Sequence, residues 1–330
     1  MTFRKEDLKR FRDTLRGSRV LISTHVHPDP DAIGSVLAAR AMLLQLNAEP
    51  HVVLADPFPP RMRWLPGADH IVTLPSGNNE ALFSAALIVD AANLSRVGEV
   101  QALIAPGAVI FNVDHHVSND HFGSVNFVDV SSAATAELLS DLRETLELNI
   151  TADIATNLYA GLLTDTGRFR FSNTSARALE VAAALVKAGA NPTEITNRLY
   201  YDFPAADVRA MGQIYSTLAL YGGDKISILF VRLENVVEDP DSVVDIALSI
   251  RGVEVAALLT EAPHGKIRVS LRSRSFVNVS GIAERFGGGG HEKAAGFRMS
   301  GSLESVREKI LPALLEAVQV STPQPVNAEV

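Results

Sequence analysis

No cysteine occurs in the 330 residues. That absence removes disulfides, thiolate nucleophiles, iron–sulfur clusters and cysteine-based zinc sites together. Any metal must therefore be held by histidine and carboxylate side chains. No run approaches the roughly 18 consecutive apolar residues of a membrane span, and the opening MTFRKEDLKRF lacks the apolar centre of a signal peptide. A cytoplasmic protein without a membrane partner is the expectation. No register of the glycines supplies GxGxxG, and GxxxxGK followed by Ser or Thr is absent, so dinucleotide and P-loop readings fail. There is no excess of basic charge either. The net charge of −8 argues against a protein that coats long duplex nucleic acid, while leaving room for a small anionic substrate.

What is present is an ordinary globular balance, 47% hydrophobic and 21% charged, in a length that suits about two domains. Over residues 1–190, short apolar runs alternate with helical patterns. Val20–Thr24, His51–Ala55, Ala85–Asp90 and Val109–Asp114 read as strands, and Ala32–Leu46, Ala133–Glu147, Ala152–Leu163 and Ser175–Ala190 as helices. The fold class this predicts is α/β, a parallel sheet with helices on both faces. Residues 191–214, with two prolines in Asn191–Pro204, read as a connector or short helices. A smaller α/β domain follows at 215–322, with strands at Lys225–Leu233, Val253–Leu259 and Lys266–Arg272. Its helices are read at Asp241–Ile250, Ser280–Arg285 and Ser302–Val318, and a frayed tail at 323–330.

Parallel sheets collect ligands at the carboxyl ends of their strands, and there this chain places its acids and histidines. The first cluster is His25-Val26-His27-Pro28-Asp29-Pro30-Asp31, stiffened by prolines between a strand and a helix. Extended backbone would point Asp29 and Asp31 the same way; a plain turn with Asp31 capping the helix is the competing reading. Asp90 closes the next apolar run. Asp114-His115-His116 closes another, and alternation sends the two imidazoles to opposite sides, one as a ligand and one toward substrate. Asp165 ends an apolar helix, where the dipole disfavours an acid unless a cation compensates. Two histidines and four carboxylates suit Mn²⁺ or Mg²⁺, or Co²⁺. A carboxylate shared by two ions fits in-line attack on phosphorus.

The second domain carries Gly287–Gly290 followed by His291, and a strand with Arg268, Ser270, Arg272, Ser273 and Arg274. Glycines let backbone amides approach an anion, and arginines on one strand face call for neutralising charge. A phosphate clamp is the sharper reading, a mobile loop beside a solvated sheet face the plainer one.

In order, HxHPDPD, VDA, VDHH, LLTDTG, SxRS and GGGGHxxAAG resemble the DHH phosphoesterase family with its DHH-associated nucleic-acid-binding domain, over nearly the whole chain. The length is most similar to the branch that joins oligoribonuclease (nanoRNase) and 3′-phosphoadenosine 5′-phosphate (pAp) phosphatase activities. The resemblance implies one ion, Mn²⁺ first, on His25, Asp29 and Asp90, and a second on Asp31, bridging Asp90, His115 and Asp165. It implies that His116 touches the scissile phosphate or leaving group while Asp114 orients its neighbours. Ser270, Arg272, Ser273, Gly288, Gly289, Gly290 and His291 would hold the far phosphate or base of the substrate. His27 stands where some relatives carry Asn, and Arg96 and Arg168 would be either supporting phosphate contacts or surface ion pairs, which spacing alone does not separate. The implied reaction is metal-dependent hydrolysis of short RNA or dinucleotides to mononucleotides and of pAp to AMP, with the second domain acting as a length ruler. Alternatives within the chemistry are a cyclic- or linear-dinucleotide phosphodiesterase, a single-strand exonuclease and a pyrophosphatase; outside it, a non-catalytic nucleotide sensor. A homodimer is an open option.

Overall fold

The computed structural model describes residues 3–74, 82–237, 240–290 and 292–320; His291 and the expected tail at 323–330 lie outside the described residues. The chain divides between Asp202 and Phe203 into two units, each with its own sheet.

The first unit runs α1 (Lys5–Leu15), β1 (Arg19–Ser23), α2 (Pro30–Gln45), β2 (Glu49–Leu54), β3 (Ile71–Thr73), β4 (Phe83–Val89), β5 (Ile104–Asp114), β6 (Val125–Val128), α3 (Thr135–Thr145), α4 (Ala152–Asp165), α5 (Ala176–Lys187) and α6 (Pro192–Tyr200). The strands pair in the order β3-β2-β1-β4-β5-β6, all parallel. The runs read as strands from the sequence are β1, β2, β4 and β5; β3 and β6, of 3 and 4 residues, are too short for a pattern to show. From β1 the chain moves outward to β2 and β3, then returns to β4 on the other side. The loops leaving β1 and β4 therefore diverge, and a crevice opens at their carboxyl ends.

Cover on the two faces is unequal. The larger core packs Val20, Ile22, Leu87 and Phe111 against α1 to α6, including Phe11, Leu37, Leu139 and Leu158. The opposite face, with Leu21, Ala86 and Ile88, is covered by a stretch of 3₁₀ helix at Leu94–Leu103 that contributes Val97, Val100 and Leu103. Helix α2 is buried nearly all round because it lies between sheet and α4, so an apolar stripe would not suffice.

The second unit comprises α7 (Ala205–Tyr215), β7 (Ala219–Tyr221), β8 (Ile226–Val231), α8 (Pro240–Leu248), β9 (Val255–Ala262), β10 (Lys266–Ser273), α9 (Val279–Arg285), β11 (Gly289–Gly290), β12 (Ala294–Ser300) and α10 (Leu303–Val320). Its sheet order is β11-β12-β10-β9-β8-β7, mixed, with only the β8–β9 pair parallel. One face packs on α9 and α10 through Val269, Leu271, Ile310 and Leu314. The other packs on α7 and α8 through Leu229, Leu258, Ile214 and Val244. The stretch 191–214 holds α6 and most of α7, with the division between the units falling between those helices.

Candidate metal centre

Asp29 caps α2: its Oδ1 accepts the Ala32 amide at 3.0 Å, and Pro30 takes the first helical position. This differs both from the reading in which the two acids point the same way and from its competitor, in which Asp31 caps the helix. Because the helix begins at Pro30, the two carboxylates diverge, and Asp31 turns inward to a different set of partners.

Those partners are the first amides of α3. Thr135 and Ala136 donate their backbone N–H groups to Asp31 Oδ2 and Oδ1 at 2.8 and 3.1 Å. Ala134, at the N-cap of α3, has no side chain to satisfy them, so a carboxylate from a hundred residues earlier caps this helix. Thr135 also donates its hydroxyl to Asp90 Oδ1 at 2.9 Å. Asp90 adopts a left-handed backbone, φ 54°, directly after β4, a conformation that costs energy for a non-glycine residue and concentrates at functional sites.

Around Asp90 the histidines converge. His25 Nε2 lies 3.5 Å from Asp90 Oδ2 and 4.0 Å from Asp29 Oδ2. His115 Nε2 lies 3.7 Å from Asp90 Oδ1 and 3.2 Å from Asp165 Oδ2. His116 Nδ1 is 3.7 Å from Asp90 Oδ1. Three trios bring their ligand atoms within 4.8 Å of one another: His25, Asp29 and Asp90; Asp31, His115 and Asp165; Asp90, His115 and His116. The imidazoles of His115 and His116 do not part to opposite sides. The strand stops at Asp114, so alternation no longer applies, and their rings meet edge to face with centroids 4.9 Å apart.

The tautomers follow from the outer hydrogen bonds. His25 Nδ1 donates to the Val26 carbonyl at 2.8 Å, which turns Nε2 toward the cluster. His115 Nδ1 faces the Ser132 carbonyl at 3.3 Å with the same result. His116 Nδ1 donates to Asp114 Oδ1 at 2.6 Å. Asp114 is in turn fixed by Asn119, whose Nδ2 reaches Asp114 Oδ2 at 2.6 Å and Asn112 Oδ1 at 2.8 Å. Buried Asn112 ties this chain to the Ile88 and Ala91 carbonyls at the end of β4.

The donor set fits divalent cations on electrostatic grounds. Asp31 is fully buried, and burial together with Asp165 and Asp90 pushes its carboxyl well above the ordinary range. Yet both its oxygens accept backbone amides, bonds that a carboxylate makes best. Burial alone would lower His25, but the Asp90 hydrogen bond, with Asp29 nearby, pushes it up to about 9. His115 is likewise raised against burial, through Asp165 and Asp90. Asp90 is held well below the carboxylate range despite burial, through its hydrogen bond with His25 and the nearby His116. Protons crowd onto the imidazoles where a hard cation among oxygen and nitrogen donors would replace them.

Sequence reasoning did not find Thr135, Ser132, Asn112 or Asn119. Only Asn119, a polar residue three places after His116, lay near enough in sequence to be noticed. His27 stays outside the cluster. It has φ 56°, is exposed, and places Nδ1 2.9 Å from Asp56 Oδ2, which also accepts its amide. The backbone carbonyl of Arg96 accepts the Val26 amide at 2.7 Å, and the Arg168 guanidinium lies over the Tyr200 ring at 4.6 Å.

In the second unit, Ser270 and Arg272 share one face of β10, away from the α9–α10 core that takes Val269 and Leu271. Ser273 lies on the other side, its Oγ 3.3 Å from Glu254 Oε1. Arg274 leaves the face altogether and donates to the Leu248 and Ile250 carbonyls at the end of α8. The glycines have structural duties as well. The Gly287 and Gly288 amides close α9, donating to Glu284 and Ala283, while Gly289 and Gly290 pair with β12. A Cβ at Gly288 would sit 2.2 Å from the Gly296 carbonyl oxygen, so close strand approach alone demands glycine there.

Comparison with known proteins agrees with this geometry. Residues 19–162 match the DHH family N-terminal domain, and residues 223–319 match the DHHA1 domain. The chain is 39% identical over 303 residues to the bifunctional oligoribonuclease and PAP phosphatase NrnA of Thermus thermophilus, covering 90% of this chain and 89% of that protein. Among solved structures, an exopolyphosphatase-related protein from Bacteroides fragilis superposes with a TM-score of 0.88 at 24% identity, covering 95% and 96% of the two chains. The exonuclease RecJ bound to manganese shares the fold more distantly, with a TM-score of 0.51 at 15% identity over 98% and 96%. Together the ordered motifs, the matched domains and the identity along nearly the full length show that this chain belongs to the DHH family, with a DHHA1 domain after its catalytic-type domain.

Proposed function

We propose that the protein is a metal-dependent phosphoesterase that hydrolyses short oligoribonucleotides and dinucleotides to mononucleotides, and pAp to AMP. The observation that carries this reading is the junction of three ligand trios through Asp90 and His115, in a chain 39% identical to a protein named for those two activities. His25, Asp29 and Asp90 would hold one divalent ion, and Asp31, Asp90, His115 and Asp165 a second, with Mn²⁺ first and Mg²⁺ or Co²⁺ as substitutes. Bound ions of this kind acidify water and neutralise charge on phosphoryl oxygens.

The remaining work belongs to the chain. Asp114 keeps the proton on His116 Nδ1, so that Nε2 is the atom turned to the scissile phosphate or leaving oxygen. Thr135 and the first turn of α3 hold Asp31 and Asp90 in place, so these carboxylates need no reorganisation during reaction. Water adds to phosphorus, the bond to the departing nucleoside oxygen breaks, and that oxygen gains a proton. Ser270 and Arg272, on the α7–α8 side of β10, are the residues assigned to a phosphate or base of the substrate.

The test is a time course on 5′-labelled RNAs of two to twenty-four nucleotides and on pAp, with Mn²⁺ and with EDTA. The reading requires turnover of the shortest species and of pAp, loss with EDTA, and loss in a folded variant with Asp114, His115 and His116 all changed to Ala. Uniform degradation of the longest RNA, or full activity in that triple variant, would refute it.

A further inference from the structure

The backbone immediately after Asp165 is unusually contorted. Gly167, Arg168 and Phe169 are consecutive left-handed residues, at φ 55°, 63° and 60°. Two of them carry side chains that disfavour this conformation. The loop is nevertheless over-determined. The Arg168 amide donates to the Leu163 carbonyl at 2.7 Å, and the Arg170 and Phe171 amides both reach the Thr166 carbonyl at 3.0 Å. Asn173 Nδ2 bridges the Ala133 and Asp165 carbonyls, each at 3.0 Å. Phe169 packs edge to face on Tyr159. Strain that is held this firmly beside a proposed ligand serves to aim something.

What it aims is Phe171. The ring lies flat over Gly167: a Cβ there would be 2.5 to 2.6 Å from Cε1, Cζ and Cε2, so only glycine permits the seat. The residue remains 46% exposed. Arg170 stands beside it, its guanidinium carbon 6.0 Å from the ring centroid and its Nε on the Gly167 carbonyl at 2.9 Å. A rigidly seated aromatic face with a cation at its side, anchored through Asn173 to the backbone of Asp165, matches what a nucleobase needs: a flat partner to stack on and positive charge near its phosphate.

We propose that Phe171, flanked by Arg170, is the stacking platform for a nucleobase of the substrate whose phosphate is attacked at the Asp90 cluster. This rests on the phosphoesterase reading and adds a base-recognising residue to it. Stacking of ordinary strength corresponds to roughly 5- to 150-fold in binding. The test measures KM and kcat with Mn²⁺ for diadenylate and for an analogue lacking one base, in wild type, Phe171→Ala, Phe171→Leu and Phe171→Trp. Wild type is expected to favour diadenylate by that factor in KM, Phe171→Ala and Phe171→Leu to erase the preference, and Phe171→Trp to restore it. A 2-aminopurine dinucleotide quenched by wild type and not by Phe171→Ala gives a second readout, independent of turnover. An unchanged preference in Phe171→Ala, or restoration by leucine as fully as by tryptophan, overturns the platform while leaving the hydrolytic reading intact. No turnover of either compound by wild type, with quenching retained, overturns that reading and leaves the platform standing.

Discussion

Helices α2 and α4 approach so closely that two glycines in their contact do different jobs, and substituting each separates packing from metal binding. A Cβ at Gly34 would sit 2.3 Å from the Asn157 carbonyl oxygen of α4. A Cβ at Gly161 would sit 2.3 Å from Asp31 Oδ1 and 3.1 Å from the Ala136 Cβ. Each clash is close to an ångström inside normal contact. Overpacking of this kind costs about 1–3 kcal/mol, partly offset by the roughly 1 kcal/mol that alanine gains over glycine in a helix. Both Gly34→Ala and Gly161→Ala should therefore lose up to about 2 kcal/mol, a fall in melting temperature of up to roughly 8 °C for a domain of this size. Their effects on the site should differ. At Gly34 the added methyl meets the Asn157 backbone first, and no ligand atom is among its three nearest neighbours. Gly161→Ala drives the Asp31 carboxylate off the α3 amides, and disturbing a ligand's support typically costs about 10–100-fold in metal affinity. Thermal melts followed by circular dichroism, paired with Mn²⁺ titrations of dinucleotide hydrolysis, read both quantities. A folded Gly161→Ala protein with the wild-type Mn²⁺ dependence, or a Gly34→Ala protein that loses metal affinity equally, would refute the reasoning.

Asn119→Ala should lower kcat about 10–100-fold with little change in KM, because Asp114 loses the amide that aims it at His116; equal loss in both parameters would point to substrate binding instead. His25, raised to about 9 without metal, contributes stability that is fully present below about pH 6.5 and is lost as pH rises through about 9. EDTA-treated protein should accordingly soften by up to about 3 kcal/mol across that window in urea melts, and Mn²⁺ should reverse the loss. Glu254 is buried and accepts the Ser275, Phe276 and Val277 amides together with the Ser273 and Ser275 hydroxyls. Although burial opposes it, those hydrogen bonds hold its carboxyl below the ordinary range. Its stabilisation is thus present above about pH 4.5 and lost as pH falls through the lowered value. Glu254→Gln should flatten the acid limb of the stability curve, and Glu254→Ala should destabilise the protein by about 1–3 kcal/mol at pH 7 in the same urea melts.

The uneven legibility of this molecule has a physical cause. A parallel strand buried on both faces reads as an unbroken apolar run, so β1, β4 and β5 announce themselves, and the polar residues at their exits stand out by contrast. His25, Asp90 and Asp114 were legible for that reason, and because a sheet rim brings strand exits together whatever lies between them in sequence. The residues that hold those side chains obey no such rule. Thr135 reaches Asp31 and Asp90 across 104 and 45 positions, and its own surroundings, Ser131-Ser132-Ala133-Ala134, look like any loop before a helix. The left-handed turn at Asp90 leaves little trace either, since aspartate visits that region more readily than most residues yet far less routinely than glycine. Alternation misled at His115 and His116 because it was carried two residues past the end of its strand. It misled again at Arg274, which leaves β10 to satisfy the end of α8. Local pattern thus reports which groups arrive at the rim, while the angle at which they arrive is decided by amides and hydroxyls from α3. That division explains why the Gly161 contact is the sharpest probe of the site: it perturbs the angle of Asp31 and leaves every ligand residue in the sequence unchanged.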